Sequence, residues 1–130
     1  MLKLTITGKP ITKKNSQRIV TNRKTGRAFP LPSKQFETYK KAFLLQARKY
    51  QPKEPIDEPI TVRACYYMPT RHRVDITNLM NATHDLLQDA GIISDDSMKI
   101  VKSVDGSRVF YDKENPRVEI SITKYEEDQS

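Results

Sequence analysis

The 130-residue chain has a single cysteine, Cys65, so an internal disulfide is excluded, and Cys and His nowhere take the spacing of a zinc site. Its four glycines form no phosphate-cradling loop, so no nucleotide cofactor is expected. No run approaches the ~18 apolar residues of a membrane span, so no membrane partner is expected. The opening Met1-Leu2-Lys3-Leu4 lacks a secretory apolar core, which points to a cytoplasmic protein. The only histidines are His72 and His84. Neither stands beside an obvious nucleophile, which leaves Ser/His/Asp chemistry without a basis.

What is present is charge, unevenly spread. Residues 1–50 hold 13 Lys/Arg against one acid, Glu37, a local charge of +12; residues 51–130 hold 10 against 15 acids, −5. A one-sided basic block in a small domain suggests a polyanion partner, because neutralised phosphates release condensed counterions. The bland alternative is a solvated basic surface. An anionic membrane surface is disfavoured, since the basic stretch carries no lipid anchor and is broken by turn residues.

The length suits one domain, spanning 1–130. Leu2, Leu4 and Ile6 alternate as in a half-buried strand. Residues 8–33 form a basic loop in which 18–20 and 27–29 suit a hairpin about the turn at 22–26. Ser33 caps a helix whose face is Phe36, Tyr39, Phe43, Ala47 and Tyr50. Residues 60–68 are rich in strand formers and end at Pro69. A second helix runs from a cap at Asp75 or Thr77 to a terminating Gly91. Its apolar arc holds Leu79, Met80, Thr83, Leu86, Leu87 and Ala90; Asn78, Asn81, Asp85 and Asp89 share the opposite arc. Strand material follows from Met98, over 104–111 and over 117–123, the last two expected as an antiparallel pair, and residues 125–130 read as a frayed tail. This order predicts an α+β fold: a mixed or antiparallel sheet with two main helices packed on one face.

Three acids stand at element junctions: Asp75 before the second helix, and Asp95 and Asp96 after it. Junction carboxylates suit Mg²⁺, which takes hard oxygen ligands and is often held by one or two carboxylates plus substrate phosphate. With cations to hold a backbone, such a site would suit phosphodiester hydrolysis. The plainer reading makes Asp75 a helix cap and Asp95-Asp96 a turn. The acids stand at opposite ends of the helix, more than ~15 Å apart, and meet only if the chain after Asp96 folds back along it. Tyr66, Tyr67 and the Phe36/Tyr39/Phe43 stripe read as core, Cys65 as a small buried hydrophobe, and His72 as an exposed loop residue.

The run from Cys65 to Leu79, followed by Ala82, Asp85, Leu86, Ala90-Gly91 and Asp95-Asp96, resembles the RusA family of small, often prophage-encoded Holliday junction resolvases. The resemblance extends weakly over the whole chain. It implies a homodimer that binds four-way branched DNA during recombination and repair and makes paired symmetric nicks with Mg²⁺, Mn²⁺ being the alternative metal. It assigns Asp75 and Asp96 as metal-binding catalytic acids with Asp95 beside them, and Asp85 as a helical acid of the family. It depart at two positions: Thr77 stands where a second metal-binding acid is expected, and Asn81 where a lysine that matters for activity is expected.

The leading expectation is therefore a Mg²⁺-dependent junction-resolving endonuclease. Asp75, Asp96 and Asp95 bind metal, Asn78 and Asn81 orient ligands or phosphate, and Lys13, Lys14, Asn15, Arg71 and Arg73 grip the backbone. Its rivals are a junction-binding accessory protein with weak or no chemistry, and a less selective nuclease of branched DNA.

Overall fold

The computed structural model describes residues 1–13 and 17–127, with the backbone alone over 17–20 and 29–32. The elements are β1 (Leu2–Thr7), β2 (Gln17–Thr21), β3 (Ala28–Pro32), α1 (Lys34–Ala47), β4 (Ile60–Met68), α2 (Ile76–Asp89), β5 (Val101–Ser103), β6 (Arg108–Tyr111) and β7 (Arg117–Lys124). A 3-10 turn, Arg48–Tyr50, extends α1. The hairpin expected around residues 22–26 is β2–β3, an antiparallel sheet of its own.

The main sheet has five strands in the order β1-β7-β4, with β5 and β6 both along the far side of β4. β7 runs antiparallel to β1 and β4, while β5 and β6 run parallel to β4, so the sheet is mixed. This corrects the expectation that the last two strands pair with each other. β4, the longest strand at nine residues, is buried at Ile60, Val62, Ala64, Tyr66 and Met68 and lies between them. Burial on the helix side makes it the natural centre of the sheet. The strand expected from Met98 also begins later. Met98 is exposed in a turn, and only Val101–Ser103 pairs, at the start of β4. A turn containing Gly106 (φ +88) then interrupts the edge before β6. There the Ala64 amide donates to Ser107 Oγ, at 3.0 Å, in place of a strand carbonyl.

Both helices cover one face of the sheet. Leu4, Ile6, Val62, Tyr66, Val118, Ile120 and Ile122 meet Phe36, Phe43 and Ala47 of α1 and Leu79, Ala82, Leu86 and Leu87 of α2 in one core. The alternation that feeds it is legible in β1, where Leu4 and Ile6 point in and Lys3 and Thr5 point out. Ser33 Oγ accepts from the Phe36 amide at 3.1 Å and starts α1 as expected. Tyr66 is buried beneath α2, its hydroxyl 2.8 Å from Thr83 Oγ1. Tyr67 departs from the core reading. It projects from the uncovered face of the sheet, stacks on Phe110 at 5.1 Å, and carries the Arg117 guanidinium 3.8 Å above its ring. Cys65 is buried on that same face.

At the edge strand β1, the Gln46 side chain of α1 accepts from the Thr7 amide at 2.8 Å and donates to the Thr7 carbonyl at 3.1 Å. The expected fraying at 125–130 does not include Tyr125, whose amide donates to the Pro59 carbonyl; residues 128–130 lie outside the described residues.

Candidate active site

The run 69–75 after β4 is neither helix nor strand, and α2 begins after Asp75, which can cap it. Its backbone is extended (φ −94°, ψ 117°) and its Oδ1 accepts from the Thr77 amide at 2.9 Å. Oδ2 makes no hydrogen bond among the described residues. The exposed carboxylate therefore caps with one oxygen and presents the other at the positive end of the helix dipole. Asn78 follows, half-buried, and Asn81 is exposed one turn later. Thr77 is exposed, offering a hydroxyl where the resemblance expects a carboxylate.

Gly91 (φ +72) ends α2, and the chain turns back through buried Ile92 and Ile93. Asp95 closes a local turn, accepting from the Ser97 amide at 3.1 Å and the Ser97 hydroxyl at 2.8 Å. These bonds hold its carboxyl below the usual range. Asp96 is exposed and close enough to His84 for its charge to be felt there. Burial lowers the His84 pKa, the Asp96 charge opposes that shift, and the buried Nε2 has no partner among the described residues. No role was expected of His84, because on the sequence it is an ordinary edge residue of a helix.

The return of the chain thus brings Asp96 back along α2, the direction required for it to approach Asp75. His84 stands nine residues from Asp75, about 13 Å of helix rise. Among the described residues, no three His, Cys, Asp or Glu side chains gather as a metal-holding group. What the chain offers is all-oxygen, with exposed carboxylates at Asp75 and Asp96 and an amide at Asn78. That donor chemistry fits Mg²⁺, which commonly uses one or two protein carboxylates and completes its shell with water and substrate phosphate.

The cations expected to grip DNA take three different positions. Lys13 reaches α2, where its Nζ lies 2.9 Å from Asp85 Oδ2 and 6.0 Å from the Phe36 ring centre. Arg73 lines a hollow of about 180 Å³ together with Lys9, Thr12, Gln35, Thr70 and His72. That hollow is roomy enough to admit a phosphate group with water. Arg71 points elsewhere, its guanidinium 4.5 Å from the centre of the Tyr111 ring. Lys14 and Asn15 lie outside the described residues. Lys9 and Gln35 were missed by the sequence reading because only the fold brings the β1–β2 loop and the first turn of α1 against the β4–α2 connection. Tyr111 was missed for the same reason, standing 36 residues from Asp75.

A family model described as "Endodeoxyribonuclease RusA" matches residues 7–123, which covers both the basic loops and the acids. No curated protein matches the chain.

Proposed function

This chain belongs to the RusA endodeoxyribonuclease family, and on that premise we propose that it is a Mg²⁺-dependent, structure-selective endonuclease that resolves four-way DNA junctions by paired symmetric nicks, acting as a homodimer. The observation that carries the proposal is the Asp75 carboxylate. One of its oxygens makes no hydrogen bond among the described residues, it stands at the start of α2, and the connection leading to it lines a hollow with Lys9, His72 and Arg73.

Each residue's part follows from its position. Lys9 and Arg73 hold a backbone phosphate in the hollow, with Thr70 and His72 as further polar contacts. Asp75 and Asp96 supply carboxylate oxygens, and the Asn78 amide orients a ligand or phosphate oxygen. Asp95, tied to Ser97, holds the turn that presents Asp96. Lys13, positioned by Asp85, brings an ammonium to the polar face of α2, where helical Asn81 has none to offer. The chemistry supplied by bound Mg²⁺, or by Mn²⁺ in its place, is polarisation of the scissile phosphate and acidification of a water. Two copies related by a two-fold axis would set two such sites on strands of matching polarity, as a near two-fold junction requires.

The test is incubation of the protein with a mobile four-way junction, a flap and a linear duplex, in Mg²⁺, in Mn²⁺ and in EDTA. Paired symmetric nicks in the junction, with divalent metal and not in EDTA, are expected. Cleavage of flaps and junctions alike would indicate a broader nuclease of branched DNA. A second reading, junction binding without hydrolysis, draws on Thr77 and Asn81 and on the absence of a three-acid group among the described residues. It is favoured if the junction is bound but never nicked in either metal.

A further inference from the structure

The β4–α2 connection has a second side. Thr70, His72, Arg73 and Val74 line the phosphate-sized hollow, but Arg71 between them turns the other way and spreads its guanidinium over Tyr111. Tyr111 ends β6, in register with Met68 at the end of β4, and the Asp112 amide donates to the Met68 carbonyl at 2.8 Å. The strand end is therefore anchored to the point where the connection begins. Tyr111 is nevertheless 45% exposed, a large exposure for an aromatic ring beside a core strand. Arg71 is exposed too, and no acid among the described residues pairs with it. The contrast with Arg117 is informative. That guanidinium also lies on a ring, Tyr67, but Asp112 and Glu119 hold it at 2.9 and 3.4 Å. Arg117 is a brace, whereas Arg71 lies over an aromatic ring with no acid beside it among the described residues.

We propose that Tyr111 and Arg71 form a stacking platform for a DNA base exposed at the branch point, and that this platform, separate from the phosphate-binding hollow, gives the protein its preference for branched over continuous DNA. The proposal rests on the nuclease reading above and adds a specificity determinant to it. A continuous duplex buries base faces against one another, while a branch point leaves some without a neighbour. Aromatic rings and guanidinium planes bind such faces with little regard to sequence. The connection places a backbone contact on one side, a base contact on the other, and Asp75 at its end. A strand leaving the helix stack at a branch presents a phosphate and an unstacked base in that relation. Aromatic surface alone would fit a protein partner equally well. The guanidinium beside it, which no acid among the described residues holds, and the cationic hollow across the connection favour nucleic acid.

The test uses the full chain and a four-way junction carrying 2-aminopurine beside the branch, with linear duplex of the same sequence as competitor, in EDTA so that no hydrolysis is needed. Binding by the wild type is expected to change 2-aminopurine emission. Tyr111→Ala is expected to abolish that change and weaken junction binding about tenfold or more, the scale of one lost base stack, with duplex affinity unchanged. Tyr111→Phe keeps the ring and is expected to retain both signals. Arg71→Lys keeps the charge but loses the plane and is expected to follow Tyr111→Ala in the emission change. Equal weakening of junction and duplex by Tyr111→Ala, or an unaltered emission change, overturns the proposal. So does a shift of Tyr111→Ala to a smaller species in sedimentation, which would make the ring a contact between copies. If the wild type never nicks DNA in Mg²⁺ yet loses its junction preference in Tyr111→Ala, the nuclease reading falls and the platform stands; nicking with no Tyr111 effect gives the reverse.

Discussion

The Lys13 ammonium lies 2.9 Å from Asp85 Oδ2 and thereby joins the basic loop after β1 to the polar face of α2. Asp85 is four residues beyond Asn81, so a lysine at 81 would reach the same carboxylate along one helix face. Lys13 brings its charge there from a different segment. Both side chains are more than a third exposed, so the pair contributes about 1 kcal/mol or less to stability. Lys13→Gln should lower the junction cleavage rate tenfold or more while shifting the melting temperature by only a few degrees. Asp85→Asn, which frees the ammonium without removing it, should give an intermediate loss. Single-turnover cleavage paired with thermal melting measures both.

Asp75→Asn should abolish Mg²⁺-dependent cleavage and leave junction affinity in EDTA intact. Asparagine caps helices as well as aspartate does, so the Thr77 amide keeps its acceptor and α2 keeps its start. Circular dichroism should then match the wild type, and a variant that still cuts at the wild-type rate would remove Asp75 from the site.

Thr77→Asp adds a carboxylate in the first turn of α2, two residues from Asp75, whose Oδ2 makes no hydrogen bond among the described residues. The helix dipole favours an acid there, so the fold should tolerate it. The expected gain is cleavage saturating at lower Mg²⁺ than in the wild type, read from a metal titration of initial rates. An unchanged titration would place Thr77 outside the metal's reach.

Arg117 hydrogen-bonds Asp112 and holds its carboxyl below the ordinary value of 3.8. A carboxylate favoured in the folded state stabilises fully above its unfolded pKa, and that contribution disappears as pH falls through the lower folded value. Melting temperatures of the wild type and Asp112→Asn should therefore differ most above about pH 5 and converge below pH 3.8.

In the core, Phe43 is fully buried between α1 and the sheet, and Phe43→Ala should cost about 3–5 kcal/mol. Tyr66→Phe removes only a hydroxyl from a site where Thr83 Oγ1 keeps its bond to the Leu79 carbonyl, so about 1 kcal/mol is expected. Urea denaturation of the two variants checks both size and order.

Elements set by local chemistry were readable from the residues alone. The Ser33 and Asp75 caps, the Gly91 stop, the apolar stripe of α1 and the bounds of β4 each depend on residues within a few positions. Strand order depends on which partners bury most apolar surface, and no local pattern states it. The terminal strands therefore read as a hairpin when β4 in fact lies between them. The site divides the same way. Asp75 could be found from the chain around it, whereas the meeting of Lys13 with Asp85, of Arg71 with Tyr111, and of Lys9 with Arg73 follows from the crossing of distant segments. Tyr67 misled because alternation in β4 is masked. Cys65, on the uncovered face, is apolar like Ala64 and Tyr66 on the helix face and is itself buried, which hides the period of two.

The paired hydrogen bonds from Gln46 to Thr7 bear on how copies of the chain can associate. A side-chain amide has the same donor and acceptor as a peptide group, so Gln46 serves as one rung of a strand that is not there. An incoming strand from another molecule would have to break both bonds before it could pair at this end of β1. This end of β1 is thus guarded against an added strand, and so against runaway extension of the sheet through it.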